Sequence, residues 1–197
     1  MTDSDGSKIT ALPGIRRADV GPGDPVPEGK LEVIVTYLEM HRVPTRRHVS
    51  RAGATAIIRA RRPTLSFYRY LYGTVGAAWM WYERLQMSDE SLLRIIEDDA
   101  VAIYVLYVDG VPAGFAELDG RRAGEVELAY FGLVPEFIGR GLGQYFLDWA
   151  VERAWTDEPG RLWVNTCNFD HPGAIVVYQK AGFTPYLQQR HVIDDPR

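Results

Sequence analysis

Two glutamates, Glu125 and Glu127, stand two residues apart in a segment, Glu125 to Val134, that reads as a strand. Side chains alternate across a strand, so this spacing puts both carboxylates on one face. Facing carboxylates push one of the pair toward neutrality, the range that suits a general base at pH 7. A solvated strand face is the other reading of the same spacing. The strand then runs out through Leu133, Val134, Pro135, Glu136, Phe137, Ile138, Gly139, Arg140, Gly141, Leu142, Gly143 and Gln144. A helix starting after glycines presents unpaired amides and the positive end of its dipole, and the glycines let a phosphate come close. Arg140 adds a formal charge. The turn lacks the Lys and Ser or Thr of a P-loop and the spacing of a dinucleotide fingerprint, and a plain strand-to-helix connection reads the same way. Cys167 is a candidate nucleophile, but no His is evidently paired with it. As the only cysteine it excludes an internal disulfide and every multi-cysteine zinc or iron–sulfur site. No metal centre is expected, and a reducing cytoplasm is the expected setting.

These residues need a folded scaffold, and the composition provides for one. The 197 residues are 46% hydrophobic and 24% charged, with a net charge of −4, as in an ordinary globular domain with a full core. No apolar run approaches the roughly 20 residues of a membrane span, and no signal-peptide pattern opens the chain. Residues 1–29, broken by Pro and Gly, read as a tail, and 30–197 as one domain. Leu31 to Met40 and Ala54 to Arg62 read as strands able to pair as a hairpin. Pro63 is expected to open a helix ending near Gly73 or Gly76, and Ser88 to cap another with Leu92, Leu93 and Ile96 inside. Val101 to Val108 and Val111 to Leu118 flank Asp109 and Gly110, a pair suited to a two-residue hairpin turn. After the glutamate strand come a helix from the glycine turn to about Trp155, a strand Arg161 to Thr166, a helix Pro172 to Ala181 and a strand Phe183 to Val192. This order predicts an α/β domain with a mixed sheet and a cleft at its strand-to-helix junctions.

One more segment makes the pattern specific: His171, Pro172, Gly173, Ala174, Ile175, Val176, Val177, Tyr178, Gln179, Lys180, Ala181, Gly182 and Phe183. Together with the glycine turn it resembles the GNAT acetyltransferase superfamily. Gly141 and Gly143 match the glycines of that family's pyrophosphate loop, and Ala174, Tyr178, Gly182 and Phe183 match its following helix. The resemblance covers about Leu92 to Val192. It implies a mostly antiparallel mixed sheet flanked by helices, with 91–193 as the acetyl-coenzyme A core and 30–90 as a strand and helix extension on the substrate side. It implies cofactor contacts from Phe131, Gly132, Leu133 and Val134, from Ile138 to Gln144, and from Asn168, His171, Ala174 and Tyr178. Ile138 stands where the family usually has Arg or Gln, which leaves a phosphate contact to Arg140. His171 or Asn168 takes the place of a common Asn, with helix capping by His171 or Asp170 as the plainer reading.

The same resemblance implies direct acetyl transfer to a primary amine, with Glu125 or Glu127 as base, an amide near Leu133 on the acetyl oxygen, and Tyr178 as acid toward the sulfur. A Tyr packed in the core is the other reading of position 178. The acceptor is a small-molecule or protein amine. Met40 to Tyr82 holds eight arginines and no acid, and Phe67 to Tyr82 holds seven aromatic residues. If these reach the cleft, the acceptor carries an aromatic or apolar body and a negative group, as an amino acid derivative does. Otherwise the aromatics are core or a homodimer interface and the arginines a solvated face. The rival function is a non-catalytic acyl-coenzyme A sensor or nucleic-acid binder, although nucleic acid and membrane are not the expected partners.

Overall fold

The computed structural model describes residues 24–45 and 54–196. The expected tail lies mostly outside the described residues, as do Arg46, Arg47 and Arg51. The elements are β1 (Lys30–Met40), β2 (Thr55–Ala60), α1 (Leu65–Gly76), α2 (Glu83–Gln86), α3 (Asp89–Ile96), β3 (Val101–Val108) and β4 (Val111–Asp119). They continue with β5 (Glu125–Leu133), α4 (Leu142–Ala154), β6 (Arg161–Cys167), α5 (Ala174–Ala181) and β7 (Thr184–Asp194). Seven strands form one sheet in the order β2-β3-β4-β5-β6-β1-β7, antiparallel throughout except where β5 meets β6.

Local chemistry explains most boundaries. Asp109 and Gly110 both take positive φ, 51° and 81°, and close the β3–β4 hairpin as their types require. The Ser88 side chain accepts from the Ser91 amide and caps α3. At α1 the cap is Thr64, which accepts from the Phe67 amide, so the helix begins at Leu65 and not at Pro63.

The expected β1–β2 hairpin does not form. β2 pairs with β3, while β1 lies between β6 and β7 at the other side of the sheet. The reason is burial: Val35, Thr36, Tyr37 and Leu38 are buried in succession, which needs cover on both faces and suits an interior strand. β2, with alternating exposure, suits an edge.

Helices cover both faces. Phe146, Leu147 and Ala150 of α4 and Tyr178 and Ala181 of α5 pack with Leu38, Leu106 and Leu162. Tyr68, Leu71 and Tyr72 of α1 and Leu92 and Ile96 of α3 pack with Ile103, Val105 and Phe115 on the opposite face. Each large side chain buried here contributes about 1.5–3 kcal/mol. No helix among the described residues is long and apolar enough to cross a membrane.

Candidate active site

β5 and β6 pair only at Glu125–Arg161, Val126–Leu162 and Glu127–Trp163. Beyond Glu127, β5 is held by β4 alone and β6 by β1 alone, so the two strands open a cleft with unpaired backbone edges. A register shift lies at the start of the opening, where Glu117 faces Tyr130 and Leu118 faces Leu128. This bulge adds one residue to β5 and sharpens the local twist. It also turns Tyr130 to the same face as Glu127, opposite Glu117 and Asp119. The Val134 amide donates to the Ala113 carbonyl at 2.9 Å. Donors alternate along an antiparallel ladder, so the Leu133 amide faces away from β4 and into the opening. The resulting cavity holds about 600 Å³.

Glu127, Asp119 and Glu117 form a carboxylate cluster with the guanidiniums of Arg84, Arg121 and Arg122 nearby. Arg84 donates to Glu117 at 2.8 Å with both side chains buried, and the Tyr68 hydroxyl donates to the other Glu117 oxygen at 2.6 Å. Burial raises Glu117, and Arg84, which cannot shed its proton, opposes that rise. Breaking such a buried pair from one side costs about 3–5 kcal/mol, so Arg84 is committed. Arg121 grips Asp119 through Nε and Nη2 at 2.5–3.0 Å. Glu127, which faces Asp119 across the ladder, is left with the Asn165 amide at 3.5 Å. Burial, and behind it the Asp119 carboxylate, raises Glu127 to about 7 against the opposing charge of Arg122, which stacks over Trp163.

Glu125 does not line the cavity; it receives a hydrogen bond from Arg161 at 3.3 Å. The carboxylates that add to the shift of Glu127 are therefore Asp119 and, behind it, Glu117, both from the neighbouring strand, and not the expected Glu125. Sequence reading missed Asp119, Arg84 and Glu117. The last carried a local signal, a lone acid inside the buried run Ala113 to Leu118.

At the other end of the cavity, Gly139 and Gly141 take φ of 80° and 72°, a region that strains any residue with a Cβ. Both line the cavity, as do Ile138, Gly143 and Gln144. No side chain caps α4, so its first amides are open to an anion. Arg140 stacks 5.0 Å over Phe137 and, like Leu142 and Val134, is not part of the lining. Phe131, Gly132, Leu133, Ala174 and Tyr178 do line it. Burial, helped by Asp170, holds the Tyr178 phenol above its ordinary range, and its hydroxyl has no hydrogen-bond partner among the described residues. Cys167 lines the cavity with its thiol pushed up to about 11 by burial, which disfavours the thiolate a nucleophile needs.

The two candidates for the missing Asn separate. Asn168 leaves the cavity and clasps β1, accepting from the Ile34 amide at 2.8 Å and donating to the Glu32 carbonyl at 3.1 Å. His171 lines the cavity and accepts from the Gly173 amide at 2.9 Å through Nδ1, a local turn ahead of α5. Asp170 receives the Trp81 indole at 3.2 Å, the Thr166 hydroxyl at 2.8 Å and the Cys167 amide at 2.8 Å. It thereby ties the loop after α1 to β6.

Of the seven clustered aromatics, Tyr72, Trp79, Trp81 and Tyr82 reach the cavity, while Tyr68 is core. No described arginine between Met40 and Tyr82 does. Arg69, for example, is spent on Asp89 and the Met87 carbonyl. The expected route from those arginines to an anionic acceptor is thus absent among the described residues.

Residues 65–183 match the model of the acetyltransferase (GNAT) family. No curated protein matches the sequence. Among solved structures, a conserved protein of unknown function from Staphylococcus epidermidis matches with a TM-score of 0.56 at 14% identity, over 85% of this chain and 64% of that one. A GCN5-related N-acetyltransferase from Kribbella flavida matches with a TM-score of 0.52 at 20% identity, over 86% and 61%. The chain thus spans less than two thirds of either protein's length. The ribosomal-protein-S18-alanine N-acetyltransferase from Escherichia coli matches with a TM-score of 0.56 at 16% identity, over 71% and 90%. At such identities the likeness is one of fold.

Proposed function

Because the chain belongs to the GNAT acetyltransferase family, we propose that it transfers an acetyl group from acetyl-coenzyme A directly to a primary amine. The observation that carries this reading is that Glu127, the strand edge bearing the Leu133 amide, and Tyr178 share one cavity. The residues fit the cosubstrate: the open edges of β5 and β6 suit an extended arm, and the glycine-cradled start of α4 suits its phosphates. When bound, acetyl-coenzyme A supplies the acetyl group as an activated thioester.

The chain's own residues then have separate tasks. An alkylammonium has a pKa near 10, so a base must take its proton before it attacks. Glu127, at about 7, is ionised for a useful fraction of molecules at neutral pH and still basic enough to accept a proton. The Leu133 amide is a fixed donor for charge developing on oxygen, worth roughly 3 kcal/mol when well placed. Tyr178 keeps its proton to neutral pH and above, and can release it to a leaving sulfur. Glu125, bound to Arg161, sits outside this set.

Thiol release from acetyl-coenzyme A with an active amine tests the reading. For the wild type, kcat/KM should rise as pH passes about 7 and then level off as Glu127 ionises. Glu127→Gln should lower it by about 10²- to 10⁴-fold and flatten that rise. An unchanged profile would remove Glu127 from the mechanism.

A further inference from the structure

We infer that the acceptor is a cationic amine with an apolar, ring-complementary body and no anionic group; this rests on the acetyl-transfer reading above. The carboxylates and guanidiniums lining the cavity are Glu83, Arg84, Asp119, Arg121, Glu127 and Asp170 among the described residues. Both cations are already engaged, Arg84 with Glu117 and Arg121 with Asp119. The remaining nitrogen of Arg84, Nε, is buried without a partner. His171 uses Nδ1 as an acceptor. A carboxylate or phosphate on the acceptor would therefore be desolvated with no free cation among the described lining residues to receive it.

The acids are in the opposite condition. Among the described residues, Glu127 has the Asn165 amide as its hydrogen-bond partner, and the half-buried Glu83 has the Tyr130 hydroxyl at 3.0 Å. Neither neutral donor cancels a charge, and the guanidiniums that act on these acids from a distance, Arg84 on Glu83 and Arg122 on Glu127, do not outweigh burial. Burial raises Glu83 as well, a penalty on its charged form that an ammonium seated beside it would offset. Around these acids the wall is aromatic. Tyr72, Trp81 and Tyr130 lie 5.0–5.4 Å apart, centroid to centroid, and Asp170 fixes the indole of Trp81. Ring faces attract ammonium groups and pack flat apolar bodies, and like-charge contact in such a site disfavours acids by about tenfold to a hundredfold or more.

Matched pairs that differ by one carboxylate test this: phenethylamine against phenylalanine, tyramine against tyrosine, tryptamine against tryptophan. Binding to the protein saturated with coenzyme A, read by calorimetry, should favour the amine of a pair by at least about tenfold. Where thiol is released, kcat/KM should favour it by about a hundredfold or more. Glu83→Gln should weaken amine binding by about tenfold while coenzyme A binding stays unchanged. Equal or better binding of the amino acids would overturn the inference, as would a failure of both members of every pair to bind. Amines that bind without thiol release would support this inference and count against acetyl transfer.

Discussion

At Glu127 the chemistry depends on what its neighbours have already claimed. Around the three carboxylates, Arg84 is held by Glu117 and Arg121 by Asp119, Arg122 opposes the shift of Glu127 without overturning it, and Glu127 keeps a raised pKa. This carries a stability consequence with a definite sign. The folded state holds the Glu127 proton up to about pH 7, whereas the unfolded chain releases it near its ordinary value of 4.5. The folded state binds more protons between those limits, so stability contributed by the neutral acid is lost as pH rises from about 4.5 to 7. Glu127→Gln should therefore have a higher thermal midpoint than the wild type at pH 8 and a similar one at pH 4. A lower midpoint at pH 8 would contradict the assigned environment; a higher one also shows that lost activity is not lost folding. Tyr178→Phe keeps the ring and its contacts with Phe131 and Phe183. Turnover should fall at least about tenfold with coenzyme A binding kept, as expected when a general acid is removed. Unchanged turnover would leave Tyr178 as packing.

Between elements, the cleft depends on how close α1 can approach β5. A Cβ on Gly132 would lie 2.4 Å from Val75 Cγ1 of α1. Gly132→Ala should destabilise by about 1–3 kcal/mol through overpacking. Combining it with Val75→Ala should give a double variant more stable than the two single effects predict, by about 1 kcal/mol, measured by denaturant unfolding. Strict additivity would mean that the backbone moves instead. Local chemistry made several elements readable in advance: the Asp109–Gly110 turn, the Ser88 cap, the glycine turn before α4 and the helix bearing Tyr178. The place of β1 was not readable. Its partners, β6 and β7, lie more than a hundred residues away, and no local pattern encodes that pairing. The bulge that aligns Tyr130 with Glu127 is a register event and is equally silent in sequence. The candidate site was legible to the same extent. Motif positions on β5, the loop and α5 could be named, whereas Asp119, Arg84 and Glu83 gain meaning only once β4 and α2 stand beside Glu127.

On the scale of the molecule, the basic stretch is the instructive failure. Arginines adjacent in sequence need not act on the cleft: Arg69 closes onto α3's first turn, while the guanidiniums that do line the cavity, Arg84 and Arg121, lie outside that stretch. The aromatics of the same region divide between core and cavity, because α1 buries one side and the loop after it faces β5 and β6. One sheet thus carries both ends of the site, with the glycine-cradled helix start at one end and the carboxylate cluster at the other. The claim on which everything else depends is that this opening takes acetyl-coenzyme A. The direct measurement is the thermal midpoint of the protein with acetyl-coenzyme A, with coenzyme A, and with adenosine diphosphate as control. At about 100 times its dissociation constant the ligand should stabilise by roughly 2.7 kcal/mol and raise the midpoint by several degrees, an effect the diphosphate alone does not reproduce. No shift with acetyl-coenzyme A at millimolar concentration would contradict the account.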